Sequence, residues 1–106
     1  MEPAGSRPDL GPRLDEAALC GMTLAVWADE QPDRVAVCDP DGAEHSFAKV
    51  NANANRLVRL LRSRGLGVGD SVALVCSNRV EFDEVLAATL RCGMRLTPVN
   101  WHLSAD

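Results

Sequence analysis

The sequence predicts an α/β chain, a β-hairpin followed by a βαβ unit, with helices packed on a mostly parallel sheet. Three observations carry that prediction. A turn signal, Asp39-Pro-Asp-Gly42, separates two short β-prone runs. Apolar residues recur at helical spacing over 50–61 and again over 82–90. Between those stripes Ser71-Val-Ala-Leu-Val-Cys76 is apolar without alternation, the pattern of a strand covered on both faces, as parallel sheets require.

Taken in order, Met1 to Leu14 reads as a flexible arm, because Pro3, Gly5, Pro8, Gly11 and Pro12 discourage regular structure. Residues 15–106 then form the folded part. Asp15 is suited to cap a helix running to about Glu30, with Leu19, Met22, Val26 and Trp27 on its apolar side and Pro32 as its stop. Gly21 in its middle costs about 1 kcal/mol relative to Ala. Arg34–Asp39 and Ala43–Phe47 are the hairpin strands, and Asp39–Gly42 has the Pro and Gly placement of a type I turn.

The clearest helix follows. Val50, Ala54, Leu57, Val58 and Leu61 make one stripe, while Lys49, Asn53, Arg56, Arg59 and Ser63 fall mostly on the solvent side. Ser46 is its expected N-cap and Gly65 its stop. After the strand at 71–76, Asn78 is positioned to cap another helix, with Glu81 completing a capping box. Phe82, Val85, Leu86, Thr89 and Leu90 are its expected buried stripe, and Gly93 its end. Arg95 to Val99 is the last strand, with Pro98 restricted to a strand end or an edge.

Composition limits the function. The 106 residues are 46% apolar and 25% charged, a globular balance sufficient for one domain or part of one. Fifteen acids against eleven bases give a net charge of −4, without the basic face that nucleic acid needs. No run is long enough to span a membrane, and the first residues lack the apolar core of a signal peptide. Cys20, Cys38, Cys76 and Cys92 form no CxxC pair, and each sits in an apolar run. Four buried, reduced thiols and a cytoplasmic location are the expectation.

Two stretches carry a family resemblance. Glu44 to Leu61, with its Ser-Phe pair and Asn51, Asn53 and Asn55, resembles the opening core motif of the AMP-forming adenylating superfamily. Leu90 to Asn100 is similar to the second core motif, and Gly67–Asn78 with Glu81 and Phe82 matches the usual spacer. The superfamily comprises acyl-CoA synthetases, peptide-synthetase adenylation domains and luciferases. The Val99–Leu103 ending looks most like fatty-acyl-CoA synthetases.

The resemblance implies the first subdomain of such an enzyme's N-terminal domain. It implies a truncated part of a carboxylate–CoA ligase, inactive alone, that associates with the remainder of a synthetase. Complete members use ATP, Mg and CoA: they adenylate a carboxylate and pass the acyl group to the CoA thiol. The phosphate loop with its Lys, the ribose-binding acid and the mobile Lys have no counterpart here, so no catalytic residue, bound cofactor or metal is assigned. Lys49 stands where members usually carry Glu, Val80 where Pro is frequent, and His102 where Arg is common. That last position makes His102, beside Trp101, the one candidate for contact with CoA or the acyl pocket. The competing reading is a non-catalytic module that docks on a complete synthetase.

Other constellations have plainer readings. Gly65, Gly67 and Gly69 follow a helix and precede a strand, the reverse of a dinucleotide-binding loop. His45, His102 and the cysteines lack metal-ligand spacing. Arg56, Arg59, Arg62 and Arg64 read as a solvated helix face rather than an anion site.

Overall fold

A computed structural model describes residues 10–76 and 79–99. The expected single N-terminal helix is two: α1, Gly11–Leu19, and α2, Thr23–Glu30. The break falls at Gly21, whose φ of +71° ends one helix before the next begins. Gly11–Leu14, expected in the loose arm, form the first turn of α1, with Pro12 where a helix tolerates proline. Asp15 therefore lies inside the helix and caps nothing. Arg13 ties the pair together, donating to Asp29 at 2.7 Å and Glu30 at 2.8 Å. Leu19, expected in the apolar stripe, is 91% exposed because the break turns it outward, while Ala17 and Val26 are buried.

The hairpin forms as predicted, from β1, Val35–Cys38, and β2, Glu44–Ser46, antiparallel with an irregularity between Val35 and Val37. Its turn is closed by Gly42 N–H to the Asp39 carbonyl at 2.9 Å.

Helix α3, Phe47–Ser63, begins where its donors find partners. The amide of Phe47 donates to the Arg34 carbonyl, that of Ala48 to the Pro32 carbonyl, and that of Lys49 to the Ser46 hydroxyl at 3.2 Å. Three of the four amides a helix start leaves open are thus satisfied, and Ser46 is the cap the sequence indicates. With no acid in that first turn, Lys49→Glu is expected to stabilise the fold by about 0.5–1 kcal/mol through a capping box and the helix dipole. Urea melts of the two proteins test this; a lower midpoint for the variant would contradict it.

Strand β3, Ser71–Leu74, helix α4, Val80–Cys92, and strand β4, Arg95–Pro98, form the βαβ unit, with β3 and β4 parallel in the register Ser71↔Arg95 to Leu74↔Pro98. Gly93 ends α4 in the left-handed conformation. The α/β class holds. The two ladders are separate two-stranded sheets, one antiparallel and one parallel.

The core lies between α3, α4 and β3–β4. Val58, Ala88, Cys92 and Met94 are buried there, with Leu57, Leu61, Leu66 and Val72 packed around them. Val50 and Ala54 continue the α3 stripe as expected. The α4 stripe is rotated from its expected position. Val80, Glu84, Ala87, Ala88, Thr89 and Cys92 are buried, whereas Leu86 is half-buried at best and Leu90 is 55% exposed. The reason is that α4 turns its small residues toward α3, which allows close approach of the two helices, and its leucines away.

Among the described residues only one face of β3–β4 is covered. Val72 and Leu74 face the helices, while Ser71, Ala73 and Val75 stand exposed on the other side. The strand expected to be covered on both faces thus has cover on one. The cysteines also depart from the buried set. Cys92 is buried and Cys76 partly so, but Cys20 sits in the α1–α2 break and Cys38 on the outer side of the hairpin, both exposed.

Candidate functional site

The polar groups gather at two places, both of them joints between elements. The first is built on Asp39, which follows β1 directly and is only 6% exposed. Its Oδ1 accepts the Val80 amide at 2.8 Å, so a hairpin residue caps a helix 41 positions later. Its Oδ2 lies 2.9 Å from His45 Nε2 and 3.8 Å from Arg79, which also approaches Asp41 and Glu81. The His45 hydrogen bond, with help from the Val80 amide and the charges of His45 and Arg79, holds the Asp39 carboxyl below the usual carboxylate range against the opposing effect of burial.

An Asp–His pair invites a catalytic reading, but His45 Nδ1 is buried and reaches no polar atom among the described residues. A base needs a nucleophile or substrate proton within hydrogen-bond reach. This pair instead latches the hairpin to the start of α4. Asn78 and its capping box with Glu81 cannot be placed, since Asn78 lies outside the described residues; the cap seen on Val80 is Asp39.

The second joint is the α3–α4 seam. Asn53, expected on the solvent side, donates to Glu84 at 2.6 Å. Arg91 donates to Asn55 at 2.7 Å and to Asn51 as well. Glu84 is a buried acid with a hydrogen-bonded partner, as burial of a polar group demands. Burial lowers the pKa of the Arg91 guanidinium from its usual value. The three asparagines of the first motif are thus cross-helix ties.

The glycine loop binds no phosphate in this arrangement, because its amides are engaged internally. Gly65 N–H donates to Arg62, Gly67 N–H to the Asp70 carboxylate at 2.7 Å, and Gly69 N–H to Gly93 at 2.9 Å. Among the described residues no group of His, Cys, Asp and Glu is arranged to hold a metal ion. The described residues therefore supply no set of groups that fits ATP with magnesium. Arg59 and Arg62 are exposed on α3 and Arg64 just past its end, and Arg56 donates to Asn53. His102 lies outside the described residues, as does Trp101. No described helix is long and apolar enough to cross a membrane.

One apolar cleft of about 240 Å³ opens between the hairpin and α4, lined by Val37, Phe47, Leu86 and Leu90 with Asp83 at its side. Burial pushes the Asp83 carboxyl up from its ordinary value.

A family model described as AMP-binding enzyme matches residues 24–106, most of the chain and both joints. This chain belongs to the AMP-binding enzyme family. Within that family it is 37% identical over 74 residues to a medium/long-chain-fatty-acid–CoA/3-oxocholest-4-en-26-oate–CoA ligase of Mycobacterium marinum, covering 70% of this chain and 13% of that protein. It is 35% identical over 92 residues to phosphinothricin tripeptide synthetase of Streptomyces viridochromogenes, covering 87% of this chain and 8% of that one. A solved fatty acyl CoA synthetase of Mycobacterium tuberculosis superposes with a TM-score of 0.72 at 32% identity, over 79% of this chain and 17% of the other. The O-succinylbenzoate coenzyme A synthetase of Bacillus subtilis, solved with ATP and magnesium, gives 0.67 at 27% identity, over 76% and 22%. The chain thus spans less than a quarter of the length of these relatives.

Sequence reasoning missed Asp39 and Glu84. Asp39 was visible only as a turn residue, and no local pattern links it to Val80. Glu84 did carry a signal: it stands four residues from both Val80 and Ala88, on the face that α4 buries.

Proposed function

We propose that this chain is the opening segment of an ATP-dependent carboxylate–CoA ligase with fatty-acyl substrates, supplying scaffold and no catalytic group. The family membership and the fatty-acid ligases among its relatives support this reading. The observation that carries it is strand β3, an apolar run without alternation in sequence but covered on one face among the described residues, as befits part of a larger layered domain. In such a ligase ATP and magnesium activate the carboxylate before the CoA thiol accepts the acyl group. This chain's contribution is rigid placement: Asp39 fixes the hairpin to α4, and the asparagine seam fixes α4 to α3. Two exposed free thiols, Cys20 and Cys38, support a reducing compartment such as the cytoplasm.

The test is exchange of labelled pyrophosphate into ATP with fatty acids of several lengths. The purified chain alone is expected to give none, because positioning and charge stabilisation supply most of a barrier reduction and the groups for both are absent. Mixed with the portion of the Mycobacterium tuberculosis fatty acyl CoA synthetase that this chain does not match, it is expected to restore exchange. Turnover by the chain alone would overturn the scaffold reading.

His102 is proposed to touch CoA or the acyl pocket in the assembled enzyme. His102→Ala in the restored pair is expected to raise the apparent KM for CoA severalfold and leave pyrophosphate exchange intact. An unchanged KM would assign it to the surface.

A further inference from the structure

Where α2, the hairpin and α3 meet, side-chain donors outnumber the acceptors that meet them. A cavity of about 250 Å³ opens there, lined by Trp27, Gln31, Arg34, Val35 and Phe47. The Trp27 and Phe47 rings stack with centroids 6.1 Å apart and planes inclined by 27°. Val35, 43% exposed, adds an aliphatic wall. Arg34 Nη1 donates to Gln31 Oε1 at 2.9 Å. That bond orients the Gln31 amide, so its NH2 group remains as a donor. The rest of the Arg34 guanidinium and the Trp27 indole N–H can only donate, and neither meets an acceptor among the described residues.

The charge around this cavity is positive. No acidic residue lines it, and Arg34 forms no ion pair among the described residues. Asp29 and Glu30, the acids that end α2, are both taken up by Arg13. Asp33, next to Arg34 in sequence, is exposed and does not line the cavity. Phe47 opens α3, a 17-residue helix with no acid in its first turn, so the positive end of its dipole is uncompensated. The first amides of α3 already bond the Arg34 and Pro32 carbonyls, so that end acts by charge and not as a donor. The negative end of α2 at Gln31 opposes it. Each helix end carries about half a charge, so the full charge of Arg34 decides the sign.

We infer that this cavity is a binding site for a small aromatic carboxylate, its ring packed on Trp27 and Phe47 and its carboxylate held by Arg34 and the Gln31 amide. Each part of the ligand answers a feature of the cavity. A set of donors is met without conflict only by a group that accepts throughout, and an ionised carboxylate does so. Its bonds to a guanidinium are charge-assisted, roughly twice as strong as neutral ones. A flat ring gains from offset or edge contact with Trp27 and Phe47 beyond the area it buries. The volume limits the size: it falls below the about 300 Å³ at which pockets for drug-sized ligands begin, leaving room for one ring and one polar group. The site shares no residue with the Asp39 joint or the α3–α4 seam, and the inference does not depend on the proposed function.

The experiment is an NMR titration of the full chain with benzoate, following the Trp27 indole N–H, the Gln31 side-chain amide and the Phe47 ring. A Trp101→Phe variant assigns the indole signal, since the chain has two tryptophans. All three signals are expected to shift and saturate together. Benzamide keeps the ring and loses the charge, and is expected to bind about tenfold more weakly. Cyclohexanecarboxylate keeps the charge and loses the aromatic face, and is expected to bind about threefold more weakly. These comparisons use the unaltered chain. Arg34→Gln leaves the backbone carbonyl that holds the Phe47 amide and is expected to weaken benzoate at least about tenfold. Arg34→Lys, a charge without the fork, should fall between. Equal affinity for benzamide, or undiminished binding by Arg34→Gln, would overturn the carboxylate assignment. Equal affinity for cyclohexanecarboxylate would overturn the aromatic one. Shifts confined to other residues, or no saturable shift at these three signals, would overturn the site itself.

Discussion

Gly21→Ala is expected to destabilise the chain by about 3 kcal/mol or more, the largest effect of any glycine substitution in the described residues. Two costs add. The backbone at Gly21 has a φ of +71°, which costs an L-residue about 1–2 kcal/mol. An added Cβ would also lie 2.6 Å from the Leu90 carbonyl carbon and 2.9 Å from the Leu90 Cβ. The obstacle is largely helix backbone, which cannot rotate aside, so α1 and α2 must lift from α4. Gly42, Gly65 and Gly69 share the positive φ but open into empty space. Their alanine variants should lose about 1 kcal/mol each. Denaturant midpoints of the four variants test the comparison. Equal losses at Gly21 and Gly65 would mean that the contact with Leu90 contributes nothing.

Asp39→Ala should cause the largest loss among the polar substitutions. It removes the cap on Val80, the partner of His45 and the anchor of Arg79 together. The buried Val80 amide is then left without its acceptor. Asp39→Asn keeps an acceptor for Val80 and should fall between the wild type and Asp39→Ala. The pH dependence separates charge from shape. The Asp39 carboxyl titrates below its ordinary range in the folded chain, while the unfolded chain titrates near the reference value of about 3.9. The stability it contributes is therefore fully present above that value and is lost as the pH falls through the lower folded one. Asp39→Asn should flatten this acid limb in urea melts taken between about pH 2 and pH 6. An unchanged limb would place the acid sensitivity on another carboxylate.

Local chemistry made much of the architecture legible from sequence. The hairpin turn at Asp39–Gly42, the Ser46 cap, the α3 stripe from Val50 to Leu61 and the Gly93 stop each rest on residues within a few positions of one another. So does Pro98, whose missing donor confines it to an edge wherever the strand lies. The motif resemblance was legible for the same reason, since order and spacing along the chain are sequence properties. The helix boundary at Gly11 was missed because proline in a first turn looks locally like proline in a loop, and only the ties from Arg13 to Asp29 and Glu30 distinguish them.

By itself, then, the sequence determined the α/β class, the order of the elements from the hairpin onward, the start of α3, the end of α4, and the family to which the chain belongs. The tertiary structure decided which face each element buries. Helix α4 could present either its leucines or its small residues to α3. Close packing of two helices selected the small side, carrying Glu84 inward to Asn53 and leaving Leu86 and Leu90 outside. The same packing put Asp39 on the amide of Val80 and Arg91 on Asn51 and Asn55. These pairings join residues dozens of positions apart, and periodicity reports the spacing within a helix but not which neighbour it will meet. Burial and hydrogen-bond satisfaction are properties of that neighbour, so they are fixed only when the chain has folded.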